Sequence, residues 1–527
     1  MNRVIRNRED NMRTFKLSLA MLATTAMTAP AFAESHLPIV DEPLELTIHM
    51  HWDRAQGYDE NYAVEQKARE LTNVHLIDAT AGRNSTDPRE AINLLLAQGD
   101  LPDIVGSQLL LQPVNQYGPE GAFVPLNDLV EEHAPNIKKF WEEHPGLVEA
   151  ISAYDGNYYY IPYLPDGKYG RAWYVRQDWL DKLGLEQPDT VDALYDVLVA
   201  FRDQDPNGNG RKDEVPFFVR DWEEAIRLVT LWDGRSSGSD TPHDFMVSDA
   251  GKVVHPYAQT TYRDGLANIA KWYQEGLIDA EIFTRGTSAR DFLLGENLGG
   301  MTHDWFASTS GYNAALGDRI EGFNFIPFLP PKSVSGVRME EHRRIPIKPD
   351  GWAISFSNEH PVETIKYFDF WFSEQGSLLS NFGVEGETWD MIDGEPVFKD
   401  EVLNSDQAVN AQLWAVGAQI KKGYPQDYRY EWQWTADAAR EGIELYDSED
   451  LLVDQFLGVA FSQEEQAVYD KYWPSIKTYM LERQQAWVLG TGDVNADWDG
   501  YVATLDKMGL EKVLDVMNKA YVRQYDG

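Results

Sequence analysis

The chain has 527 residues, of which 86 are Asp or Glu, 46 are Lys or Arg and none is Cys. The length allows about two to four domains, and the absence of Cys excludes disulfides, thiolate metal sites and a cysteine nucleophile. The formal net charge of −40 argues against nucleic acid and anionic lipid as partners, because an acidic surface is repelled by both.

The first 33 residues have the pattern of a secretory signal peptide. Arg13 and Lys16 precede a largely apolar run at 17–27, and small residues occupy the cleavage-reading positions of 31–33. A lipid anchor would need a Cys at the cleavage point. We therefore expect cleavage before Glu34 and a mature protein that is free in the periplasm, without a membrane anchor.

Strand and helix patterns alternate in the first part of the mature chain. Apolar and polar residues alternate at 45–52, which predicts a strand, and 61–71 carries the spacing of an amphipathic helix. A strand at 74–77, a helix at 91–98 and a strand beginning at 103 follow. This alternation predicts βαβ units on a parallel sheet that is covered on both faces.

The same pattern returns further along the chain. Later helices are predicted at 179–183, 191–201, 263–273, 362–372 and 462–488, and a later strand is predicted at 351–356. The last of these helices begins with the capping-box spacing of Ser462 and Glu465, and Pro474 is expected to kink it. No repeat and no Pro/Ser-rich linker divides the chain, so we predict an α/β protein of two interleaved lobes.

The segment 205–214 is the most specific motif in the chain. Oxygen-bearing side chains fall at alternate positions, and Gly210 permits the sharp turn that EF-hand loops also make. The oxygen ligands that we expect for Ca²⁺ are Asp205, Asn207, Asn209, the main-chain carbonyl of Arg211, Asp213 and Glu214. Position twelve is Pro216 rather than Glu, so the loop is a shortened variant. A polar turn without metal is the alternative.

Two segments combine aromatic rings with polar side chains. One is 299–305, where His303 and Asp304 precede Trp305, and the other is 427–434. Sugar rings stack on aromatic planes, while sugar hydroxyls need polar partners. Both segments are therefore candidates for carbohydrate binding. The alternative is that these rings pack in the core or between the lobes.

Further candidate residues lie between and before these segments. The run 158–163 is expected to be extended and ends in Tyr163, and Arg171 follows a turn that contains glycine. The guanidinium of Arg171 can reach a ligand carboxylate, although a plain surface charge is an equal alternative. His49 and His51 project from one face of the first strand, but no third metal ligand is nearby, which favours a packing role.

Enzyme signatures are weak in this sequence. It contains neither a Walker loop nor a His-Glu-x-x-His motif. The segment 234–238 matches the Gly-x-Ser-x-Gly pattern but lacks the preceding strand and following helix of a nucleophile elbow, which favours a flexible loop. We therefore expect no catalytic residues.

Several motifs of this chain resemble known proteins. The export signal, Gly-Asp-Leu-Pro-Asp-Ile-Val at 99–105, Asp-Trp-Leu at 178–180 and Gly-Trp-Ala-Ile at 351–354 resemble the family 1 solute-binding proteins of ABC importers. A closer resemblance is to the periplasmic alginate-binding proteins. It rests on Ile-His-Met-His at 48–51, the loop 205–214, Thr-His-Asp-Trp-Phe-Ala-Ser at 302–308, Gln-Asp-Tyr at 426–428 and Tyr-Asp-Lys-Tyr-Trp at 469–473.

The resemblance implies two α/β lobes that close on an oligosaccharide in the cleft between them. After the signal peptide 1–33, the N-terminal lobe is expected at 34–165 and 343–383. The C-terminal lobe is expected at 166–342 and 384–527. The resemblance also implies a calcium ion in the loop described above.

The resemblance further implies which rings stack on sugars, namely Trp305, Tyr430 and Trp434. The chain departs from the family just after the first strand, where alginate-binding proteins carry basic residues that meet uronate carboxylates. Here Asp53 precedes Arg54, which is the one basic residue of 52–56.

These observations predict a monomeric periplasmic binding protein that delivers an acidic oligosaccharide to the membrane subunits of an ABC importer. An alginate-derived ligand is favoured, and a pectic or neutral oligosaccharide is the alternative. A secreted polysaccharide lyase or hydrolase is a remote alternative.

Overall fold

The computed structural model describes residues 37–51, 57–80, 87–236 and 244–525 of the chain. The predicted signal peptide, Arg54 and the end of the 234–238 loop lie outside these residues.

The structure contains both strands and helices throughout its length. The strands of the described residues are β1 (Leu44–His51), β2 (Val74–Asp78), β3 (Ile104–Ser107), β4 (Ile161–Pro162), β5 (Arg171–Arg176), β6 (Val215–Phe217), β7 (Met246–Val247), β8 (Val253–Val254), β9 (Gly299–Trp305), β10 (Phe325–Phe328), β11 (Gly351–Ile354), β12 (Trp389–Ile392) and β13 (Glu395–Phe398). Short 3₁₀ segments occur at Ile226–Trp232, Pro256–Ala258 and Gly286–Ser288.

Helices cover both lobes. They are α1 (Ala63–Thr72), α2 (Pro88–Gln98), α3 (Leu111–Tyr117), α4 (Asn127–His133), α5 (Pro135–Glu143), α6 (Leu147–Ile151), α7 (Gln177–Leu183), α8 (Val191–Asp203), α9 (Trp222–Ala225), α10 (Thr260–Gln274), α11 (Ala289–Gly295), α12 (Phe306–Ser310), α13 (Tyr312–Leu316), α14 (Pro361–Phe370), α15 (Glu374–Phe382), α16 (Asp400–Leu403), α17 (Val409–Ala415), α18 (Tyr428–Trp434), α19 (Asp437–Asp447), α20 (Gln463–Val488), α21 (Val494–Met508) and α22 (Leu510–Tyr525). Among the described residues, no helix combines the length and the apolar character that crossing a membrane requires.

Local sequence signals set several helix ends. The side chain of Asp87 caps α2, and Gly99 ends that helix in the left-handed region that glycine adopts without strain. Ser462 and Glu465 form the predicted capping box at the start of α20. That helix continues through Pro474 to residue 488.

The first sheet has the strand order β2-β1-β3-β11-β4. Strand β1 is parallel to β2 and β3, as the alternating pattern predicts, whereas β11 is antiparallel to β3 and β4. An entirely parallel sheet was expected, and β11 departs from it because it joins the sheet after the chain has passed through the second sheet. It therefore does not arrive through a helical crossover of the βαβ kind.

The second sheet has the strand order β10-β5-β9-β6 and is mixed. Strand β5 is antiparallel to both of its neighbours, and β6 is parallel to β9. Alternate side chains of β5 enter different hydrophobic cores. Trp173 and Val175 pack with helices α7, α8, α10 and α20, while Ala172 and Tyr174 pack with α12 and α19.

A third group of buried side chains surrounds the first sheet. It includes Trp389, Phe398, Leu413 and Tyr424, so the stretch 389–430 packs with the N-terminal part of the chain. The sequence-based boundary instead assigns 384–430 to the C-terminal lobe. An amphipathic pattern shows that a segment is half-buried but not which sheet it covers, and this explains the difference.

The chain passes between the two sheets in segments that lie side by side. Segment 163–170 leads from β4 to β5, and segment 342–350 leads back to β11. Backbone hydrogen bonds join the two, including one of 2.8 Å from Arg344 N to Lys168 O and one of 3.0 Å from Lys348 N to Tyr163 O. This paired connection is where a hinge between the lobes would lie.

Candidate functional site

Trp305 lies at the end of β9, directly opposite Arg171 at the start of β5. The guanidinium carbon of Arg171 is 4.4 Å from the centroid of the indole ring, and this stacking covers one face of the ring. The Arg171 side chain is buried, and its Nη1 donates a hydrogen bond of 2.7 Å to Glu224 Oε1. Arg171 is therefore an internal ion-pair partner and not a plain surface charge.

Asp304 is fully buried among three guanidinium groups. Its Oδ1 is 3.5 Å from Arg171 Nη1 and 3.0 Å from Arg220 Nη2, and its Oδ2 is 3.3 Å from Arg290 Nε. We refer to Arg171, Arg220 and Arg290 as the arginine cluster. The Asp304 carboxylate therefore holds the three guanidinium groups together, and one of them, that of Arg171, stacks on the indole ring of Trp305.

Glu224 on helix α9 is the second carboxylate of this region. It accepts hydrogen bonds of 2.7 Å from Arg171 Nη1 and from Arg220 Nη2. Burial alone would raise its pKa, but the guanidinium groups of Arg171, Arg227 and Arg220 lower that pKa to about 2. The local potential is therefore strongly positive although the whole chain carries a net charge of −40.

His303 has a different environment from its two neighbours in sequence. Its Nε2 is 3.0 Å from Glu340 Oε2, and its ring lies between those of Trp173 and His342, at centroid distances of 5.7 and 5.8 Å. The ring is buried. Among the described residues, His303 therefore has the contacts of a packed histidine paired with a carboxylate, and its role in ligand binding stays a prediction.

The second aromatic segment forms helix α18, which Asp427 caps by accepting a hydrogen bond from Arg429 N. Tyr430 and Trp434 are four residues apart, so their rings share one face of the helix, with centroids 6.2 Å apart. Tyr430 is buried, and its hydroxyl accepts a hydrogen bond of 3.0 Å from Gln426 Nε2. The indole Nε1 of Trp434 is buried and has no hydrogen-bond partner among the described residues.

Tyr163 lies next to this helix in the crossing segment. Its ring is 5.2 Å from that of Tyr424 in an edge-to-face arrangement, and burial raises the pKa of its hydroxyl. Arg344 and Glu431 form an ion pair beside it with two hydrogen bonds of 2.6 Å. This pair was not predicted from the sequence, although Glu431 lies within the aromatic segment 427–434.

Segment 163–170 borders both aromatic groups. A Cβ atom added to Gly170 would lie 3.5 Å from the indole of Trp305, and one added to Gly167 would lie 3.0 Å from the ring of Tyr428 in α18. The structure therefore brings the predicted residues to two positions along one crossing segment. Arg54, the remaining predicted residue, lies outside the described residues.

A cavity of 570 Å³ adjoins the other crossing segment. Its lining includes Leu109, Gln112, Ile345, Ile347, Phe456 and Tyr469, which come from three segments that are far apart in the sequence. None of the predicted ligand-binding residues in the described part of the chain lines it. In segment 342–350, Ile345 and Ile347 line this cavity, whereas Arg344, which precedes them, pairs with Glu431 on helix α18.

The predicted calcium loop folds around its own polar groups. Gly210 N donates a hydrogen bond of 3.0 Å to Asp205 Oδ2, and Asn209 Nδ2 donates one of 2.9 Å to Asp213 Oδ1. Within the described residues, no group of three or more His, Cys, Asp or Glu side chains is placed to hold a metal ion. The three carboxylates of the proposed ligand set, Asp205, Asp213 and Glu214, are therefore not placed together as such a group, and the other proposed ligands are two amides and a main-chain carbonyl.

The loop also contains buried carboxylate oxygens that lack partners. Asp205 Oδ1 and both carboxylate oxygens of Glu214 have no hydrogen-bond partner among the described residues. Burial raises the pKa of Glu214, and the nearby Asp205 and Asp213 raise it further. Unpartnered carboxylates of this kind are costly without a cation, so these residues fit a hard divalent ion.

Known proteins resemble this chain over nearly its whole length. No family model matches the sequence. The crystal structure of the alginate-binding protein AlgQ2, determined without calcium ion, is 49% identical, has a TM-score of 0.78, and covers 93% of this chain and 100% of its own. The fructooligosaccharide ABC transporter substrate-binding protein FusA of Streptococcus pneumoniae is 26% identical over 477 residues, which are 86% of each chain.

A third relative binds a different polymer. The polygalacturonan/rhamnogalacturonan-binding protein YtcQ of Bacillus subtilis is 24% identical over 353 residues, or 64% of this chain and 65% of its own. The structure of FusA in complex with kestose is 22% identical with a TM-score of 0.68, and it shares the two-lobed fold. The similarity to AlgQ2 is high enough over the full length to establish common descent. The chain belongs to the family of AlgQ2, within the solute-binding proteins of ABC importers.

Proposed function

We propose that this protein is a periplasmic carrier that binds an acidic oligosaccharide, alginate-derived, and delivers it to the membrane subunits of an ABC importer. The similarity to AlgQ2 supports the ligand class. Relatives that are substrate-binding proteins support a binding role without catalysis, located outside the cytoplasmic membrane. The periplasm and a monomeric state are part of the proposal.

One observation carries the ligand site. Tyr430 and Trp434 share a face of α18, beside the segments that connect the lobes, and Trp434 Nε1 lacks a hydrogen-bond partner among the described residues. A sugar that stacks on these rings can accept this hydrogen bond through a hydroxyl oxygen. An unpartnered buried donor costs about 1–3 kcal/mol, and a ligand that satisfies it recovers much of that cost.

The mechanism is closure of the two lobes. A ligand that contacts both lobes binds the closed form more tightly than the open form and therefore shifts the population toward it. The importer then recognises the closed form. Tyr163 begins the crossing segment 163–170, and Trp305 lies beside Gly170 at its other end, so a ligand that spans the two rings reaches across the proposed hinge.

We include a structural calcium ion in the loop 205–214. The unpartnered oxygens of Asp205 and Glu214 support it. The FusA structures also include one described as an EF-hand mutant, and AlgQ2 is described without its calcium ion. A bound ion would neutralise the carboxylates and fix the loop against helix α7, whose Lys182 Nζ donates a hydrogen bond of 2.7 Å to Pro206 O.

Titration calorimetry with alginate oligosaccharides of defined length tests this function. Binding with a one-to-one stoichiometry, sub-micromolar affinity and no new products on incubation supports the carrier. Trp434→Ala should weaken binding at least tenfold because a stacked ring contributes on the order of 1.4 kcal/mol or more. Trp414→Ala, on helix α17, is the matched control and should leave the affinity unchanged.

Pectic oligosaccharides are the second candidate ligands. The similarity to YtcQ favours them, and they share the uronate carboxylate with alginate. If pectic oligosaccharides bind and alginate oligosaccharides do not, the protein is still a carrier, but its ligand is pectic. Conversion of either polymer into shorter or unsaturated products would instead support a lyase or hydrolase and overturn the proposal.

A further inference from the structure

The arginine cluster concentrates positive charge behind Trp305 in a strongly acidic protein. Arg171, Arg220 and Arg290 surround two carboxylates, those of Asp304 and Glu224. The adjoining small cavity adds the side chains of Arg227, Glu340 and Glu341, and Arg235 pairs with Glu341. These five guanidinium groups outnumber the four buried carboxylates, and the further carboxylate of Asp221, beside Arg220, is exposed to solvent.

The cluster also holds unused hydrogen-bond donors. The Nε atoms of Arg171 and Arg220 are buried and have no hydrogen-bond partner among the described residues. The side chains of Arg220 and Arg290 keep 18% and 15% of their exposure, so the cluster is not sealed from the surface. A purely structural ion-pair network would be expected to match its charges and use its donors.

The position of the cluster relative to Trp305 is specific. Arg171 covers one face of the indole, so a sugar can stack only on the other face. The guanidinium carbon is 4.4 Å from the ring centroid, and a stacked sugar adds about 4 Å. A charge on that sugar lies within the Debye length of about 10 Å at 0.1 M salt, where the cluster still acts on it.

We propose that Arg171, Arg220 and Arg290 are the specificity element of this site and select a sugar that carries a carboxylate over its neutral counterpart. This inference rests on the proposed function, because it requires an oligosaccharide at Trp305. It also accounts for the composition just after β1, where Arg54 is accompanied by Asp53 rather than by further basic residues. The positive charge that an acidic ligand needs comes instead from the second sheet.

The test compares two ligands that differ only in charge. An alginate trisaccharide and the same trisaccharide with its carboxyl groups reduced to alcohols are titrated into the full mature protein with calcium present. The wild-type protein should bind the acidic trisaccharide at least tenfold more tightly. This preference should shrink as NaCl rises from 0.05 to 1 M, because salt screens charge but not stacking.

Four variants then distinguish a role in ligand selection from a purely structural role. Arg220→Gln and Arg290→Gln should each weaken binding of the acidic trisaccharide about five- to tenfold and change binding of the reduced one less than twofold. Arg220→Lys keeps the charge and should retain the preference. Arg285→Gln removes a guanidinium that pairs with the buried Asp279 in the same lobe, away from Trp305, and should change neither affinity.

The outcomes distinguish this inference from the proposed function. If the cluster variants weaken both trisaccharides in parallel, or leave their ratio unchanged, the cluster is structural and the inference is overturned. If the wild-type protein binds both trisaccharides equally, the inference fails while the carrier stands. If it binds neither, the proposed function itself fails, and the inference fails with it. Thermal unfolding confirms that each variant is folded. If Arg220→Gln does not fold, the comparison is made with Arg290→Gln.

Discussion

Arg344 donates two parallel hydrogen bonds, each 2.6 Å long, to the two carboxylate oxygens of Glu431. The pair joins the crossing segment 342–350 to helix α18, which carries Tyr430 and Trp434. Burial would lower the pKa of Arg344, but the Glu431 carboxylate raises it above the ordinary value, so the pair stays charged. The orientation of the candidate sugar-stacking rings therefore depends on a charged contact between helix and hinge.

Arg344→Met should destabilise the protein and weaken ligand binding together. The substitution leaves the buried Glu431 without its cation, which costs roughly 3 kcal/mol for a pair of this kind. We take the lower end of the usual range because the Arg344 side chain keeps 18% exposure. Urea unfolding measures the stability, and calorimetry with the alginate trisaccharide measures the affinity.

The neighbouring residue offers a matched control. Arg343 is 40% exposed, and its closest carboxylate oxygen, on Asp454, is 3.8 Å away. Arg343→Met should therefore change the free energy of unfolding by less than about 0.5 kcal/mol. Equal effects of the two substitutions would show that the Arg344–Glu431 pair contributes nothing beyond a surface charge.

The elements of the first sheet follow directly from local sequence. The predicted strand at 45–52 and helix at 91–98 correspond to β1 and α2, because side-chain alternation and the capping residues are local signals. The pairing of β11 with β3 and β4 is different. It joins residues about 200 and more positions apart, and no local pattern specifies such a partner or its direction.

The candidate site likewise combines features that local sequence predicts with features that depend on long-range packing. Aromatic and polar residues close in sequence pointed to Trp305 and helix α18, and the structure places both beside segment 163–170. The arginine cluster was not predicted as a unit. Arg171 begins β5, Arg220 precedes α9 and Arg290 lies on α11, and only tertiary packing brings the three around Asp304.

Calcium should stabilise the protein through the loop 205–214. After dialysis against EDTA, addition of Ca²⁺ to about one hundred times its Kd should add about 2.7 kcal/mol to the free energy of unfolding. Thermal unfolding at increasing Ca²⁺ concentration measures the effect. Mg²⁺ should give a smaller shift, because it requires strict octahedral geometry and loses its water reluctantly.

Glu214→Gln tests which residues hold the ion. The buried Glu214 supplies two unpartnered oxygens, so its loss should remove most of the calcium-dependent shift and should stabilise the metal-free protein. Glu186→Gln, at an exposed acidic position outside the loop, should leave the shift intact. A calcium response that survives Glu214→Gln would place the ion elsewhere.

Asp369 should make stability fall as pH rises from about 4 to 6. Burial raises its pKa to about 6, although its carboxylate accepts hydrogen bonds from Asn136 and Ile137 at the start of α5. The folded protein therefore holds this proton at a pH where the unfolded chain, with a pKa near 3.9, has released it. Stability from this group is fully present below about 4 and is lost as pH passes 6.

The difference of about two units between the pKa of Asp369 in the folded and unfolded states corresponds to roughly 3 kcal/mol in the free energy of unfolding. Urea unfolding between pH 4.5 and 7.5 in 1 M NaCl measures it, since high salt suppresses the general repulsion among carboxylates. Asp369→Asn should flatten the profile relative to the wild-type protein, and Glu363→Gln on the same helix should not. Parallel profiles for all three proteins would exclude Asp369 as the source.

Salt should raise the thermal midpoint of this protein. A net charge of −40 makes the compact state repel itself, and unfolding relieves that repulsion by moving the charges apart. Raising NaCl from 0.1 to 1 M shortens the Debye length from about 10 to about 3 Å, which screens the repulsion while leaving buried pairs such as Lys422–Glu65 largely intact. The midpoint should therefore climb by several degrees at constant calcium, and sucrose of equal osmolality should produce a smaller rise. A midpoint that does not change with NaCl would show that specific pairs already balance the surface charge.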